Sequence, residues 1–130
     1  MTLLFQGEER IDSGLCVILN RCTYCIRHHS EALRRLGAKE DYIELLIKNH
    51  EEIGDEKIVE MLNYSKKLTE KPNSISEEDV RRLHDVGLTD REILDLTLVV
   101  AYFNFINKIA LGLGVGLEPD FKKTCKEDFG

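Results

Sequence analysis

A chain of 130 residues with 18 basic and 24 acidic side chains carries a formal charge of −6, and it has no dense run of Lys or Arg of the kind that attracts nucleic acid or an anionic membrane. Neither is an expected partner. The length suits one domain, residues 1–130, with room for a single hydrophobic core.

Taken in chain order, spacing and punctuation predict helices almost throughout, with no strand-like alternation of useful length. A first helix is expected over about Glu9 to Leu19, weakened by Gly14. Asn20 caps a second that runs to about Leu36, where Arg34 and Arg35 suit the last turn and Gly37 closes it. A third covers Asp41 to Lys48, and a fourth covers Asp55 to Leu68, ending before Lys71-Pro72-Asn73. Ser76 caps a fifth, whose first turn holds Glu77, Glu78 and Asp79 at the positive end of the helix dipole and which Gly87 ends. Thr89 and Glu92 form a capping box for the sixth. The expectation is an all-α bundle of about six helices.

The sixth helix is apolar on nearly every side from Ile93 to Leu113. A bilayer crossing is disfavoured because Asp95, Asn104, Asn107 and Lys108 interrupt it, and a mid-span charge costs roughly 2.5–3.5 kcal/mol. A soluble helix of this kind must be covered all round, and a small domain has few elements to do so, which points to a subunit interface. Gly112, Gly114 and Gly116 follow this helix instead of opening one, so they are expected to stop it and not to cradle a phosphate. His50 and His84 fall on helix ends or surfaces with no recognisable partner, and Lys122, Lys123 and Cys125 belong to an expected solvated tail.

The chemistry concentrates in Cys22-Thr23-Tyr24-Cys25-Ile26-Arg27-His28-His29. In a helix Cys22 and Cys25 are three residues apart and Cys25 and His29 four apart, so the three share one face, while His28 is expected off that face and solvated. A helix N-terminus and a nearby imidazolium both lower a thiol's pKa from about 8.5 toward the ~3.5–7.5 range of reactive cysteines. Such a cluster can pass a proton and open or close a disulfide. A zinc site using Cys22, Cys25 and a histidine is one alternative, although no second C-x-x-C or H-x-x-x-H supplies a fourth ligand. A structural disulfide and a pair of inert buried thiols are the others. Cys16 and Cys125 have no characteristic spacing, and the N-terminus lacks a basic-then-apolar leader pattern, so a reducing, cytoplasmic setting is expected.

The order of these features resembles the alkylhydroperoxidase D-like (AhpD-like) branch of the carboxymuconolactone decarboxylase family, and within it the uncharacterised peroxidase-related proteins. The resemblance is carried by Asn20 to His29, by Leu33-Arg34-Arg35-Leu36-Gly37, and by Gly87 to Ile93 leading into Val99-Val100-Ala101-Tyr102-Phe103-Asn104-Phe105-Ile106-Asn107. It implies an oligomeric all-helical fold, commonly a trimer or hexamer, and thiol-dependent reduction of hydroperoxides. In that scheme Cys25 attacks the peroxide, Cys22 resolves the sulfenic acid, and His29 belongs to the proton relay. A lipoylated or thioredoxin-like dithiol is the external reductant, and no bound cofactor or metal is implied. The family's relay glutamate falls twelve residues before the first cysteine, where this sequence has Arg10; either a neighbouring carboxylate serves, Glu9 with Glu8 and Asp12 as the others, or the relay is incomplete. A lactone decarboxylase-like lyase and a non-enzymatic redox-sensing oligomer are the competing functions, the first opposed by the C-x-x-C pair itself.

Overall fold

The structure is a computed structural model that describes residues 23–35 and 37–115, and its described residues form five α-helices and two 3₁₀ turns with no strand. In chain order the helices are α1 (Thr23–Arg35), α2 (Glu40–Lys48), α3 (Glu56–Glu70), α4 (Glu77–Asp85) and α5 (Asp90–Leu113). The predicted helix over Glu9 to Leu19 and the C-terminal tail lie outside the described residues.

Local chemistry sets most boundaries. The Asp55 side chain accepts the Ile58 N–H and starts α3, while Thr89 and Glu92 close the capping box that starts α5. Helix α1 ends where Gly37 takes φ of +88°, with Gly37 N–H donating to Arg34 O and Ala38 N–H to Leu33 O. The same pair of reverse bonds ends α4 at Gly87, φ +100°, and a side chain at either position would be strained. Gly114 ends α5, whereas Gly112 is still inside its last turn, so only part of the expected glycine stop acts as one.

Two apolar clusters meet at α3. Leu62 packs with Leu33, Ile43, Leu46 and Ile53, which joins α3 to α1 and α2. Met61 and Tyr64, on another side of α3, pack with Leu83, Leu88, Ile93, Leu96 and Val100 of the α4–α5 region. Leu62, Leu83 and Leu96 have no exposed surface, and each such burial contributes roughly 1.5–3 kcal/mol. Helices α3 and α5 run side by side in the same direction, since Tyr64 Oη meets Thr97 Oγ1 at 2.9 Å and, further along both, the Asn104 amide donates to Thr69 Oγ1 at 3.0 Å. Arg34 grips Glu40 through two bonds of 2.9 and 2.7 Å and so fixes the corner between α1 and α2.

Within one chain α5 is covered on one side only, in line with the expectation that a small domain has too few elements to cover it all round. Its inner face, including Leu96, Val99, Val100, Asn107 and Ala110, is buried, while Leu94, Leu98, Tyr102, Phe105, Ile109 and Leu113 are exposed by 45–77%. The reason is geometric: α3, α4 and α1, the described helices that touch α5, all approach from the inner side.

Asp79 is the most heavily bonded polar group of the α3–α4 contact. Its buried carboxylate accepts from Lys67 Nζ at 2.7 Å, Arg82 Nη2 at 2.6 Å, and the Ser76 backbone N–H and hydroxyl. The Lys67 bond chiefly, with the Ser76 bonds, outweighs the opposing effect of burial and holds the carboxyl at about 2, below its ordinary 3.8. A depressed carboxyl stabilises the fold fully above the unfolded value and loses that contribution as pH falls through the folded one, so the window here is about pH 4 to 2. Asp79→Asn is expected to cost about 1–3 kcal/mol at pH 7 and to remove part of the acid sensitivity between pH 4 and 2. Urea titrations followed by circular dichroism at both pH values check this; parallel loss of stability in the two proteins would contradict the assignment.

Candidate functional site

Cys25 is the third residue of α1 and His29 the seventh, so their backbone positions lie one turn apart on one side of the helix. Cys22 and Glu9 lie outside the described residues, and the side chains of Cys25 and His29 are not described. The structure therefore places half of the expected constellation, on a helix of the expected kind. Continuing one turn along that side reaches Leu33, buried at 6%, and Ala32, exposed.

In the last turn of α1, Arg34 and Arg35 are engaged with Glu40 and Glu31. Ser30 is buried, and Arg27 and His28 are half-buried. The expectation of a solvated His28 is corrected: the helix lies against the bundle closely enough to shelter it.

The other histidines are also corrected. His50 is buried, in a 3₁₀ turn that brings its Nε2 to 3.3 Å from Asn63 Oδ1 on α3. His84 donates from Nδ1 to Leu88 O at 2.8 Å and places Nε2 3.0 Å from Asp90 Oδ1, pinning the corner between α4 and α5. Both have partners, distant in sequence or across a turn, that spacing does not show. Among the described residues no group of three or more His, Cys, Asp or Glu side chains is placed to hold a metal ion. A cleft of about 400 Å³ between α3 and α4 is lined by Glu51, Glu60, Asn63, Lys67, Asp79 and Arg82. Its Lys67, Asp79, Arg82 and Glu60 pair with one another.

Sequence reasoning missed Asn107 as anything beyond an interruption of an apolar helix. It has no exposed surface, and neither its amide nitrogen nor its amide oxygen has a hydrogen-bond partner. A buried unpaired amide costs about 1–3 kcal/mol, so Asn107 marks a polar weak point on the inner face of α5.

Among solved structures the chain is similar to an uncharacterised peroxidase-related protein from Silicibacter sp. TM1040, with a TM-score of 0.85 and 26% identity over 93% of this chain and 64% of that one. It is similar to a second such protein, described as an alkylhydroperoxidase AhpD core, from Ralstonia eutropha JMP134, with a TM-score of 0.83 and 23% identity over 93% and 64% of the two chains. A protein of unknown function from Agrobacterium tumefaciens, for which an antioxidant-defence role as an AhpD has been suggested, gives a TM-score of 0.76 and 21% identity over 89% and 80%. This chain thus spans 64% of the length of the first two. No family model and no curated protein matches the sequence.

The unpaired amide makes a direct prediction. Asn107→Leu keeps the volume and removes the unsatisfied groups, so it is expected to raise unfolding free energy by about 1–3 kcal/mol in urea titrations. A loss of stability would show that a bound water or another group holds the amide.

Proposed function

We propose, from the premise that this chain is an all-helical AhpD-like protein, that it is a thiol-dependent peroxidase which reduces hydroperoxides through Cys25 and Cys22. The observation that carries this reading is the C-x-x-C-x-x-x-H sequence, with Cys25 and His29 one turn apart on helix α1. The names of the structural neighbours support a peroxidase-like role in general. The finer chemistry follows from the residues.

The Cys25 thiolate attacks the terminal oxygen of the hydroperoxide, the O–O bond breaks, and the alkoxide leaves with the electron pair. Cys25 becomes a sulfenic acid, oxidised by two electrons, and the peroxide is reduced to an alcohol once the alkoxide takes a proton. Cys22 then displaces water from the sulfenic acid and closes the disulfide. An external dithiol, of the lipoylated or thioredoxin-like class, reopens it by exchange and is itself oxidised. His29, one turn from Cys25, takes the thiol proton and delivers one to the leaving alkoxide, with Glu9 as the carboxylate of the relay. A reducing compartment such as the cytoplasm suits a pair that must be reopened each cycle.

Purified protein supplied with cumene hydroperoxide and dihydrolipoamide tests the roles. Cys25→Ser is expected to abolish peroxide consumption, and Cys22→Ser to permit one turnover that leaves a dimedone-reactive sulfenic acid on Cys25. His29→Gln is expected to slow turnover by roughly 10²–10⁴-fold, the usual loss for a general acid–base group. First-turnover activity that survives in Cys25→Ser but not in Cys22→Ser would reverse the two assignments.

A further inference from the structure

We propose that the cleft between α3 and α4 is a binding site for a small zwitterion of dipeptide length, whose carboxylate is held by Lys67 and Arg82 and whose ammonium is held by Glu60. The inference is independent of whether the thiol pair turns over peroxide. It rests on a cavity of about 400 Å³, a size within the roughly 300–1,000 Å³ usual for small-molecule sites.

Helical spacing builds the cleft. Glu60, Asn63 and Lys67 recur three and four residues apart along α3, so they share one side, and on α4 Asp79 and Arg82 are again three apart. Lys67 meets Asp79 while Glu60 lies beside Arg82, so the two helices run antiparallel and the cleft has two different ends. Asp79 is the fixed point of the site. Its Oδ2 accepts from Lys67 Nζ at 2.7 Å and from the Ser76 backbone N–H and hydroxyl, and its Oδ1 accepts from Arg82 Nη2 at 2.6 Å. A buried carboxylate bonded in this way anchors the two cations side by side.

This pairing leaves much of the hydrogen-bonding capacity of the cleft unused. Lys67 commits one of its three N–H groups to Asp79, and Arg82 one of its five. The Glu60 side chain is only 24% exposed, yet Arg82 Nε stands 3.8 Å from it, beyond hydrogen-bond distance. Asn63 turns Oδ1 toward His50 Nε2 at 3.3 Å, and its amide N–H groups have no partner among the described residues. Donors are therefore free at Lys67, Arg82 and Asn63, and acceptors at Glu60.

Charge and length select the occupant. The lining has three carboxylates, Glu51, Glu60 and Asp79, against the two cations Lys67 and Arg82. A bare anion meets Glu51 and Glu60, and a bare cation meets Lys67 and Arg82, whereas a molecule with both charges satisfies both sets. The Lys67 bond chiefly, with those of Ser76, holds the Asp79 carboxyl at about 2, so the two cations stay anchored at neutral pH. Glu60 and Lys67 are seven residues apart, about 10 Å along the helix at 1.5 Å per residue. An extended dipeptide spans about 7 Å and reaches that scale with a hydrogen bond at each end; a single amino acid, half as long, contacts one end at a time.

Backbone amide shifts of the isotope-labelled protein, titrated with glycylglycine at constant ionic strength, test the proposal. Saturable shifts are expected around Glu60, Asn63, Lys67 and Arg82, with half-saturation in the millimolar range. N-acetylglycylglycine lacks the ammonium and glycylglycinamide lacks the carboxylate, so each should bind about tenfold or more weakly, the usual effect of losing a charge-assisted hydrogen bond. Glycine should be weaker by a similar factor. Glu60→Gln should weaken glycylglycine binding likewise, with helicity retained by circular dichroism. Should that variant fail to fold, the capped dipeptides decide the matter on the native chain. Absence of saturation in the millimolar range, equal shifts with either capped dipeptide or with glycine, or saturable shifts centred elsewhere in the bundle would overturn the proposal.

Discussion

Twenty-four residues of helix, apolar on almost every side, have to be accommodated by a chain whose other described helices span only 9 to 15 residues each. Much of the remaining architecture is a response to that constraint. Helices α3 and α4 pack against the inner face of α5 through Met61, Tyr64 and Leu83, and α1 also touches it. Polar ties at Tyr64–Thr97 and Thr69–Asn104 fix the register of α3 on α5 without interrupting the apolar contact. The outer face is left bare because no described helix approaches it.

The same constraint links the bundle to the chemistry proposed for it. Helix α1 is short, and its position is set at one end by Arg34 and Glu40 and along its length by Leu33 and by α5. It carries Cys25 and His29 one turn apart, and a neighbouring imidazolium favours a thiolate. Asn107, buried and unpaired on the inner face of α5, shows that this face is not optimised for stability alone.

How much of this was legible in the sequence depended on whether the signal was local. Asp55, Ser76 and Thr89 announced helix starts, and Gly37 and Gly87 announced ends, because capping and positive φ are decided by neighbours within a turn. The all-helical AhpD-like fold followed from the order of these signals and the cysteine motif, and the structural likenesses bear it out. The His50–Asn63 contact was not legible, since it joins residues thirteen apart through a 3₁₀ turn. The sheltering of His28 and the unpaired amide of Asn107 were hidden for the same reason: each depends on which helices pack together, and periodicity alone does not say. Of the site itself, the helical setting of Cys25 and His29 was anticipated, and Cys22 and Glu9 fall outside the described residues.

The central claim is that Cys22 and Cys25 form a redox couple, and the most direct measurement is mass spectrometry of the non-reduced protein after one equivalent of hydroperoxide. The account predicts loss of two hydrogens located to the peptide that contains both cysteines, reversed by dithiothreitol. Oxidation confined to Cys16 or Cys125, with the pair left as free thiols, would contradict it.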